Sequence, residues 1–250
     1  MITLKNKRIV ITGASSGIGA ATAELCAFLG AQILLVGRNE DRLSQVFARL
    51  EGNGHVILAT DVTNYERIED ELSEVLLTFG RIDGLVYSAG MEMTRPLKML
   101  KPKILQEVLE VNVIAGINFA RLLTKANIWN VEGGSIIFIS SIVGVVGQPG
   151  KIGYSASKGA LISAAKSMAL EFASKHIRVN CVLPAMVSTP MSMRLLDSLS
   201  EETRENIVKM HPLGIGSVED ISNACSFLLS DISRWITGTS MVVDGGYSAL

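Results

Sequence analysis

Short apolar runs alternate with longer stretches of helical spacing along almost the whole chain. Seven runs rich in Ile and Val predict strands, at 8–12, 32–36, 56–59, 84–87, 135–140, 177–182 and 240–243. Nearly unbroken apolar runs of this length are typical of strands buried on both faces. Between them, apolar residues at helical spacing predict helices over 17–29, 40–50, 64–79, 101–127, 153–174 and 217–230.

This alternation predicts a doubly wound α/β fold, in which a parallel sheet lies between two layers of helices. No linker, charge run or change in composition divides the 250 residues, and 48% of them are hydrophobic, so we expect a single three-layer domain over 1–250. Ligands of this fold bind beyond the carboxyl ends of the strands. The segment 186–214 does not fit the sheet, and we expect loop and short helices there, a candidate lid over the site.

Charge and composition narrow the range of partners. The formal net charge is −1, which gives no electrostatic basis for binding nucleic acid or an anionic membrane. No run of about 18 apolar residues predicts a membrane span. The three cysteines lie far apart and predict buried thiols in a reducing compartment, so we expect a cytoplasmic protein. The three histidines lack metal-ligand spacing, and we expect no metal site.

A glycine-rich segment follows the first predicted strand and opens the first predicted helix. Gly13 permits a tight turn, Gly17 lets backbone approach a diphosphate, and Gly19 lets the helix pack close to the sheet. Free N–H groups at the helix N-terminus would bind the phosphates. The alternative is a purely structural turn, but its place between strand and helix favours a dinucleotide site. That site would comprise Gly13, Ser15, Ser16, Gly17, Ile18 and Gly19.

The spacing G-x-x-x-G-x-G resembles that of the short-chain dehydrogenase/reductase family. The similarity continues to the segments 236–238 and 243–246 near the end of the chain. The resemblance implies a Rossmann fold and a nicotinamide-dependent oxidoreductase. In pattern the chain is most similar to 3-oxoacyl-(acyl-carrier-protein) reductases.

The end of the second predicted strand indicates which dinucleotide is bound. A carboxylate there binds the ribose hydroxyls of NAD, whereas an arginine accommodates the 2′-phosphate of NADP. This chain has Gly37 followed by Arg38, which resembles NADP-preferring relatives, so we expect NADP(H) to be preferred. NAD(H) is the alternative if Arg38 is only a solvated surface residue. Asp61 and Val62 resemble the family's adenine-binding pair, although Asp61 could equally cap the next helix.

The loop after the fourth strand departs from the family pattern. Ser88, Ala89 and Gly90 stand where relatives usually have Asn-Asn-Ala-Gly. The two small residues still allow backbone to approach the cofactor. Support for the central sheet must therefore come from groups other than the usual asparagine.

The loop after the sixth strand resembles the family's nicotinamide-binding segment. Pro184 with Ala185 replaces the usual Pro-Gly, and we expect the local turn to differ because alanine does not readily adopt positive φ. By resemblance, Pro184 lies at the cofactor. The Val187 backbone and the Thr189 hydroxyl then match the positions that bind the nicotinamide carboxamide.

Tyr154 and Lys158 lie four positions apart at the start of a long predicted helix, so their side chains share one face. A free tyrosine has a pKa of about 10, and burial raises it further, so acid–base work at neutral pH needs a nearby cation. Lys158 and the oxidised nicotinamide ring are the available cations. Alone the pair is a common surface arrangement, but with the glycine turn it indicates that Tyr154 exchanges a proton with the substrate.

The resemblance adds two residues to this group and places Tyr154 and Lys158 at the cofactor as well. Ser141 matches the family's serine that binds the substrate oxygen. Ser140 is a rival on chemistry alone, and the family spacing selects Ser141. Asn112 lies inside a predicted helix although asparagine is a poor helix former. In relatives this residue holds a water that links the lysine to solvent.

We therefore expect NADP(H)-dependent reduction of a ketone to a secondary alcohol, on a substrate similar to a 3-oxoacyl thioester. The apolar loop 142–146 and the methionines of the candidate lid suit a partly apolar substrate. The segment 131–134 lacks the basic residue of carrier-protein-dependent relatives. A sugar, polyol or other secondary-alcohol dehydrogenase is therefore an alternative, and a non-catalytic dinucleotide-binding regulator is a second.

Two further expectations concern the surroundings of Tyr154. Small residues make its helix smooth, and in the family this helix packs against a subunit partner, so the resemblance implies a homotetramer. Glu92, Arg95 and Lys151 border the expected pocket, but they carry no diagnostic pattern.

Overall fold

The computed structural model describes residues 1–197 and 199–249, apart from the side chains of Arg194 and Leu195. Its strands are β1 (Arg8–Thr12), β2 (Gln32–Gly37), β3 (Val56–Ala59), β4 (Gly84–Tyr87), β5 (Gly134–Ile139), β6 (Ile177–Pro184) and β7 (Ser240–Val243). Within the described residues they form one seven-stranded sheet in the order β3-β2-β1-β4-β5-β6-β7. All neighbouring strands are parallel, which confirms the predicted doubly wound sheet.

Helices cover both faces of this sheet. They are α1 (Gly17–Phe28), α2 (Glu40–Phe47), α3 (Tyr65–Phe79), α4 (Pro102–Leu109), α5 (Ala115–Leu123), α6 (Ile152–Glu171), α7 (Pro190–Asp197), α8 (Glu201–Lys209) and α9 (Val218–Leu229). One core joins the sheet to α3, α5 and α6, through residues such as Phe119 and Leu161. A second core joins it to α1, α2 and α9, through residues such as Ala23 and Leu228. Strand residues alternate between the two cores, which explains their unbroken apolar runs.

The helix predicted over 101–127 is the main difference from expectation. It is divided into α4, a π-helical turn (Glu110–Ile114) and α5, which ends at Leu123. The π turn carries Asn112, whose side chain bonds to the loop after β4 and not to solvent. Single π turns inside α-helices often occur at functional sites. The poor fit of asparagine in the predicted helix therefore marked a real irregularity.

Two strands run further than their apolar patterns predicted. β2 continues to Gly37, and β6 continues to Pro184 because Leu183 and Pro184 pair with the edge strand β7. Proline is tolerated at the end of a strand, where its missing N–H costs no ladder bond. β5 begins one residue early, at Gly134, which pairs with Ile177.

The order of the strands creates the crevice that holds the predicted site. β1 lies between β2 and β4, so the chain reverses its direction of winding across the centre of the sheet. In such folds the crevice at the carboxyl ends of the two central strands is the ligand site. The loops after β1, β4, β5 and β6 all end at this edge, and they carry most of the predicted site residues.

The segment 186–214 contains α7 and α8 joined by loops, as predicted for its described residues. His211 anchors it: the ring accepts a hydrogen bond from the Met186 N–H at 3.2 Å, and its other nitrogen bonds to the Ile207 carbonyl at 2.7 Å. Its action as a lid stays a prediction. Among the described residues, no helix has both the length and the apolar character that a membrane crossing requires.

Candidate active site

Three glycines shape the turn between β1 and α1. Gly13 and Gly17 adopt positive φ, at 65° and 57°. A Cβ on Gly13 would lie 2.8 Å from the backbone nitrogen of Ala89, and one on Gly19 would lie 2.4 Å from the Gly13 carbonyl oxygen. A Cβ on Gly17 would lie 3.4 Å from the Thr189 methyl group. The turn therefore packs closely against the loops after β4 and β6, and only glycine fits at its tightest points.

The first turn of α1 can receive an anion. Its N-cap, Ser16, is extended and makes no side-chain cap bond, and no acidic residue lies in this first turn, which the structure describes completely. Ser16 is exposed and Ser15 is half-buried, while Ile18 packs on the adjacent core. The helix N-terminus thus offers free N–H groups and a partial positive charge. These features fit the phosphates of a dinucleotide.

Thr12 and Tyr87 support the loop after β4, which lacks the asparagine that is usual in the family. The buried Thr12 hydroxyl accepts hydrogen bonds from the backbone N–H groups of Ser88 and Ala89, at 3.2 Å and 3.1 Å. The buried Tyr87 hydroxyl donates to the Val111 carbonyl at 2.7 Å, which ties β4 to the π turn. Neither role is predictable from the sequence, because each is a contact between segments distant in the chain.

Arg38 and Asp61 lie together after β2 and β3, with 3.8 Å between guanidinium and carboxylate. Arg38 is largely exposed, so its guanidinium is free to reach a ligand. Burial acts to raise the pKa of Asp61, but hydrogen bonds from Thr63 and the Arg38 charge hold it below its ordinary value. Those bonds form a turn ahead of α3, whose N-cap is Asn64 and not Asp61, and the adenine-binding role of Asp61 stays a prediction. Val62 beside it is buried in the core.

Asn112 joins three segments of the site from the π turn. Its amide oxygen accepts from the Met91 N–H at 2.8 Å, and its amide nitrogen donates to the Met91 carbonyl and to the Ser157 hydroxyl, both at 3.0 Å. The side chain is completely buried. Asn112 therefore fixes the loop after β4 to α6, where the tyrosine and lysine lie.

Gly90 marks the point where Asn112 and Lys158 converge. A Cβ on Gly90 would lie 3.2 Å from the Asn112 amide oxygen and 3.5 Å from the Lys158 ammonium. The ammonium donates to the Ile139 carbonyl at 2.8 Å and is 5% exposed. Burial lowers the pKa of Lys158 to about 8, because no carboxylate of the described residues pairs with it.

The Tyr154 ring lies beside this ammonium, with its centroid 5.5 Å from Lys158 Nζ. Burial raises the pKa of Tyr154 to about 12, and the Glu92 carboxylate also raises it, against a lowering hydrogen bond with Ser141. Without a dinucleotide, burial thus dominates, and Lys158 gives up its proton before the phenol does. At neutral pH the pair holds both protons, which is the state that can protonate a carbonyl oxygen as the carbonyl is reduced to an alcohol.

Ser141 faces the phenol, whereas Ser140 points away from it. The Ser140 hydroxyl is buried and donates to the Lys158 carbonyl at 2.8 Å, so it helps to hold α6. Apart from its hydrogen bond with the Tyr154 phenol, the Ser141 hydroxyl makes long contacts, 3.3 Å to the Pro184 carbonyl and 3.4 Å from the Val143 N–H. Ser141 thus lies where it could meet a substrate oxygen, and that role stays a prediction.

The loop after β6 completes the edge of the crevice. Ala185 does not adopt positive φ, so this turn accommodates an alanine without backbone strain. Val187 is buried and forms a parallel bridge with Gly216. The Thr189 hydroxyl accepts from the Ser192 N–H at 3.1 Å at the start of α7. The structure thus brings together the glycine turn, the β4 and β6 loops and the tyrosine–lysine pair along one edge of the sheet.

Comparisons with known proteins agree with this geometry. A family model described as Enoyl-(Acyl carrier protein) reductase matches residues 13–248. The 3-oxoacyl-(acyl-carrier-protein) reductase of Rickettsia felis is 38% identical over 247 residues, which cover 98% of each chain. Glucose 1-dehydrogenase of Gluconobacter oxydans is 35% identical over 96% of this chain and 91% of its own.

The fold also matches a solved structure from Sinorhizobium meliloti that is described as a short-chain alcohol dehydrogenase. The TM-score is 0.90, with 30% sequence identity, and the match covers 99% of this chain and 98% of the other. The similarity therefore includes every strand, the glycine turn and the C-terminal segment.

The glycine turn yields a direct test. Gly13→Ala places a methyl group against the Ala89 backbone at positive φ, so we expect the unfolding free energy to fall by about 2 kcal/mol. Dinucleotide affinity, measured by calorimetry, should fall by at least about tenfold. Gly147→Ala is the control, because nothing lies within 4 Å of its Cβ position and its φ is not positive. Equal effects in both variants would contradict this role for the turn.

Proposed function

The chain belongs to the short-chain dehydrogenase/reductase family of NAD(P)-dependent oxidoreductases, and we propose that it reduces a ketone on an acyl thioester, with NADP(H) as cofactor. The observation that carries this proposal is the half-buried Tyr154 beside the buried Lys158, with Ser141 facing the phenol and Asn112 behind the ammonium. Fold alone would not indicate a reaction, whereas this combination of groups does.

The residues divide the chemistry among them. A nicotinamide dinucleotide bound in the crevice supplies the hydride that reaches the carbonyl carbon, or accepts it in the reverse direction. The Ser141 hydroxyl binds the carbonyl oxygen, and the Tyr154 phenol gives that oxygen its proton. Lys158 stabilises the phenolate that remains. Asn112 fixes the loop after β4 against α6, along which a proton returns to the phenol.

The proposed cofactor site is the edge from the glycine turn to the β6 loop. The N–H groups and hydroxyls at the start of α1 would hold the diphosphate. Arg38 would hold a 2′-phosphate, because its exposed guanidinium has only a long contact with Asp61. Val187 and Thr189 would hold the carboxamide of the nicotinamide.

The surroundings of Ser141 and Tyr154 favour a partly apolar substrate. Val145, four residues after Ser141, and Ile152, the first residue of α6, are 56% and 46% exposed. Met191 and Met193 are exposed on α7, immediately after Thr189. An acyl chain would cover such side chains, which water otherwise contacts unfavourably. The name of the Rickettsia felis relative points to the same substrate class.

A sugar or polyol dehydrogenase is the second candidate. The relative from Gluconobacter oxydans is a glucose 1-dehydrogenase, and a polar cluster of Glu92, Thr94 and Lys151 borders Tyr154.

The absence of a basic residue at 131–134 favours a thioester that is not delivered by a carrier protein. A homotetrameric assembly and a cytoplasmic location stay predictions.

A spectrophotometric panel with purified protein tests the function. We expect oxidation of NADPH with acetoacetyl thioesters, and much weaker activity with free sugars or polyols in reverse. Tyr154→Phe should lower kcat/KM at least about 100-fold with little change in dinucleotide affinity, because it removes the proton donor but leaves the ring. Tyr247→Phe, near the end of the chain, is the control and should retain full activity, because it keeps the ring that packs on His211.

Each alternative has its own signature in this panel. If glucose or a polyol were a far better substrate than every thioester, the protein would be a sugar or polyol dehydrogenase and not an acyl-thioester reductase. Dinucleotide binding without turnover on any carbonyl or alcohol would favour the non-catalytic regulator.

Cofactor preference is tested at Arg38. Arg38→Ala should lower kcat/KM for NADPH by roughly tenfold to a hundredfold, because a charge-assisted contact to the 2′-phosphate is lost, and should leave the value for NADH almost unchanged. Arg42→Ala is the matched control, since Arg42 is an exposed arginine in the first turn of α2. A strong preference of the wild-type protein for NADH would contradict the assignment.

A further inference from the structure

Two segments meet beside Tyr154 in contacts that the proposed reaction does not use. The Lys151 ammonium forms an ion pair with Glu92 and donates to the Thr94 hydroxyl at 2.6 Å. The Thr94 hydroxyl donates in turn to Glu92 at 2.7 Å. The Arg95 N–H donates to the Gly150 carbonyl at 2.7 Å. The loop after β4 is therefore fastened along the start of α6 by both side chains and backbone.

The burial of Lys151 sets this cluster apart from the surface ion pairs. Its side chain is 9% exposed and that of Glu92 is 24% exposed. Lys151 is also the N-cap of α6, where a cation opposes the helix dipole. A buried ammonium at an unfavourable helix end requires a close partner, because an uncompensated buried charge is strongly destabilising. Glu92 and Thr94 provide that partnership.

Both charges of this pair face the catalytic phenol. Lys151 Nζ lies 6.0 Å from the centroid of the Tyr154 ring. Lys151 precedes Tyr154 in the chain, whereas Lys158 follows it. Glu92, from the loop after β4, acts on the phenol with the opposite sign. Among the described residues, the polar and charged groups facing Tyr154 are thus Lys151 and Lys158 from α6, Glu92 from the β4 loop, and Ser141 after β5.

We propose that Lys151 and Glu92 are a positioning pair: they fix the loop after β4 against the start of α6, and they balance the charge that the Tyr154 phenol meets. The pair joins residues 59 positions apart. Glu92 alone would hold the proton on Tyr154 more tightly, and Lys151 alone would release it more easily. When the two charges balance, the pH at which the phenol ionises depends on the remaining cations, Lys158 and the oxidised cofactor.

This inference rests on the proposed function of Tyr154 as the proton donor and acceptor, and four variants test it. They are Glu92→Gln, Lys151→Met, the double variant and the conservative Lys151→Arg. The measurement is kcat/KM for alcohol oxidation against pH, in which the phenolate is the active base and the rate rises with pH. The Lys125–Glu69 ion pair joins the segment after α5 to α3 and provides the controls Lys125→Met and Glu69→Gln.

The two single variants should move the profile in opposite directions. Glu92→Gln should lower its apparent pKa by about one pH unit, and Lys151→Met should raise it by a similar amount, as expected for a single charge at this distance in a partly solvated site. The double variant should return close to the wild-type profile although its packing has changed most. Lys151→Arg and both controls should keep the wild-type profile.

A purely structural role predicts a different pattern. Shifts of the same sign in both single variants, or a double variant displaced further than either, would overturn the proposal. So would a rise in KM for anionic substrates in Lys151→Met with an unchanged pH profile, because Lys151 would then be a substrate ligand.

A second readout separates this inference from the proposed function. Isotope labelling of the four tyrosines at Cζ lets NMR follow the Tyr154 phenol without turnover, with Tyr154→Phe identifying the signal. Glu92→Gln should make this phenol titrate at lower pH than the pKa of about 12 in the wild-type protein. That shift in a protein without activity on any substrate would sink the proposed reaction but support the pair. No shift in an active protein would sink the pair alone.

Discussion

A buried ammonium that no carboxylate of residues 1–197 and 199–249 pairs with is the constraint on which the site depends. Lys158 donates to the Ile139 backbone carbonyl at 2.8 Å. The fall of its pKa from 10.5 to about 8 corresponds to about 3 kcal/mol of unfavourable burial of the charge. The ammonium lies against the Tyr154 ring, where it can stabilise a phenolate, and this role accounts for a charge whose burial is unfavourable. A carboxylate beside Lys158 would stabilise the buried ammonium, but it would also cancel the effect of the ammonium on the phenol.

The rest of the structure keeps that pair next to a cradle for a dinucleotide. Parallel strands bring their following loops to one edge, and close backbone contacts at Gly13 and Gly90 let the loops approach each other and the ammonium. Thr12 and Asn112 then lock the loop after β4 from its two ends. Preorganised groups of this kind stabilise developing charge without moving during the reaction.

The fold and the main site residues could be predicted from the sequence because they leave local signals. Strand positions follow from apolar runs. The poor fit of Asn112 in a helix indicated a special position but not the π turn, which divides the single helix predicted over 101–127. The roles of Thr12, Tyr87 and the Lys151–Glu92 pair could not be predicted, since each depends on side chains that only the folded sheet brings together. The raised pKa of Tyr154 likewise follows from burial, which residue spacing does not measure.

The most direct test of the account is whether Lys158 and the oxidised cofactor together acidify Tyr154. NMR titration of labelled tyrosine Cζ should show the Tyr154 phenol ionising at markedly lower pH when NADP⁺ is bound than when it is absent. In Lys158→Met that lowering should be mostly lost, with NADP⁺ still bound. A Tyr154 titration that is the same with and without Lys158 would contradict the account.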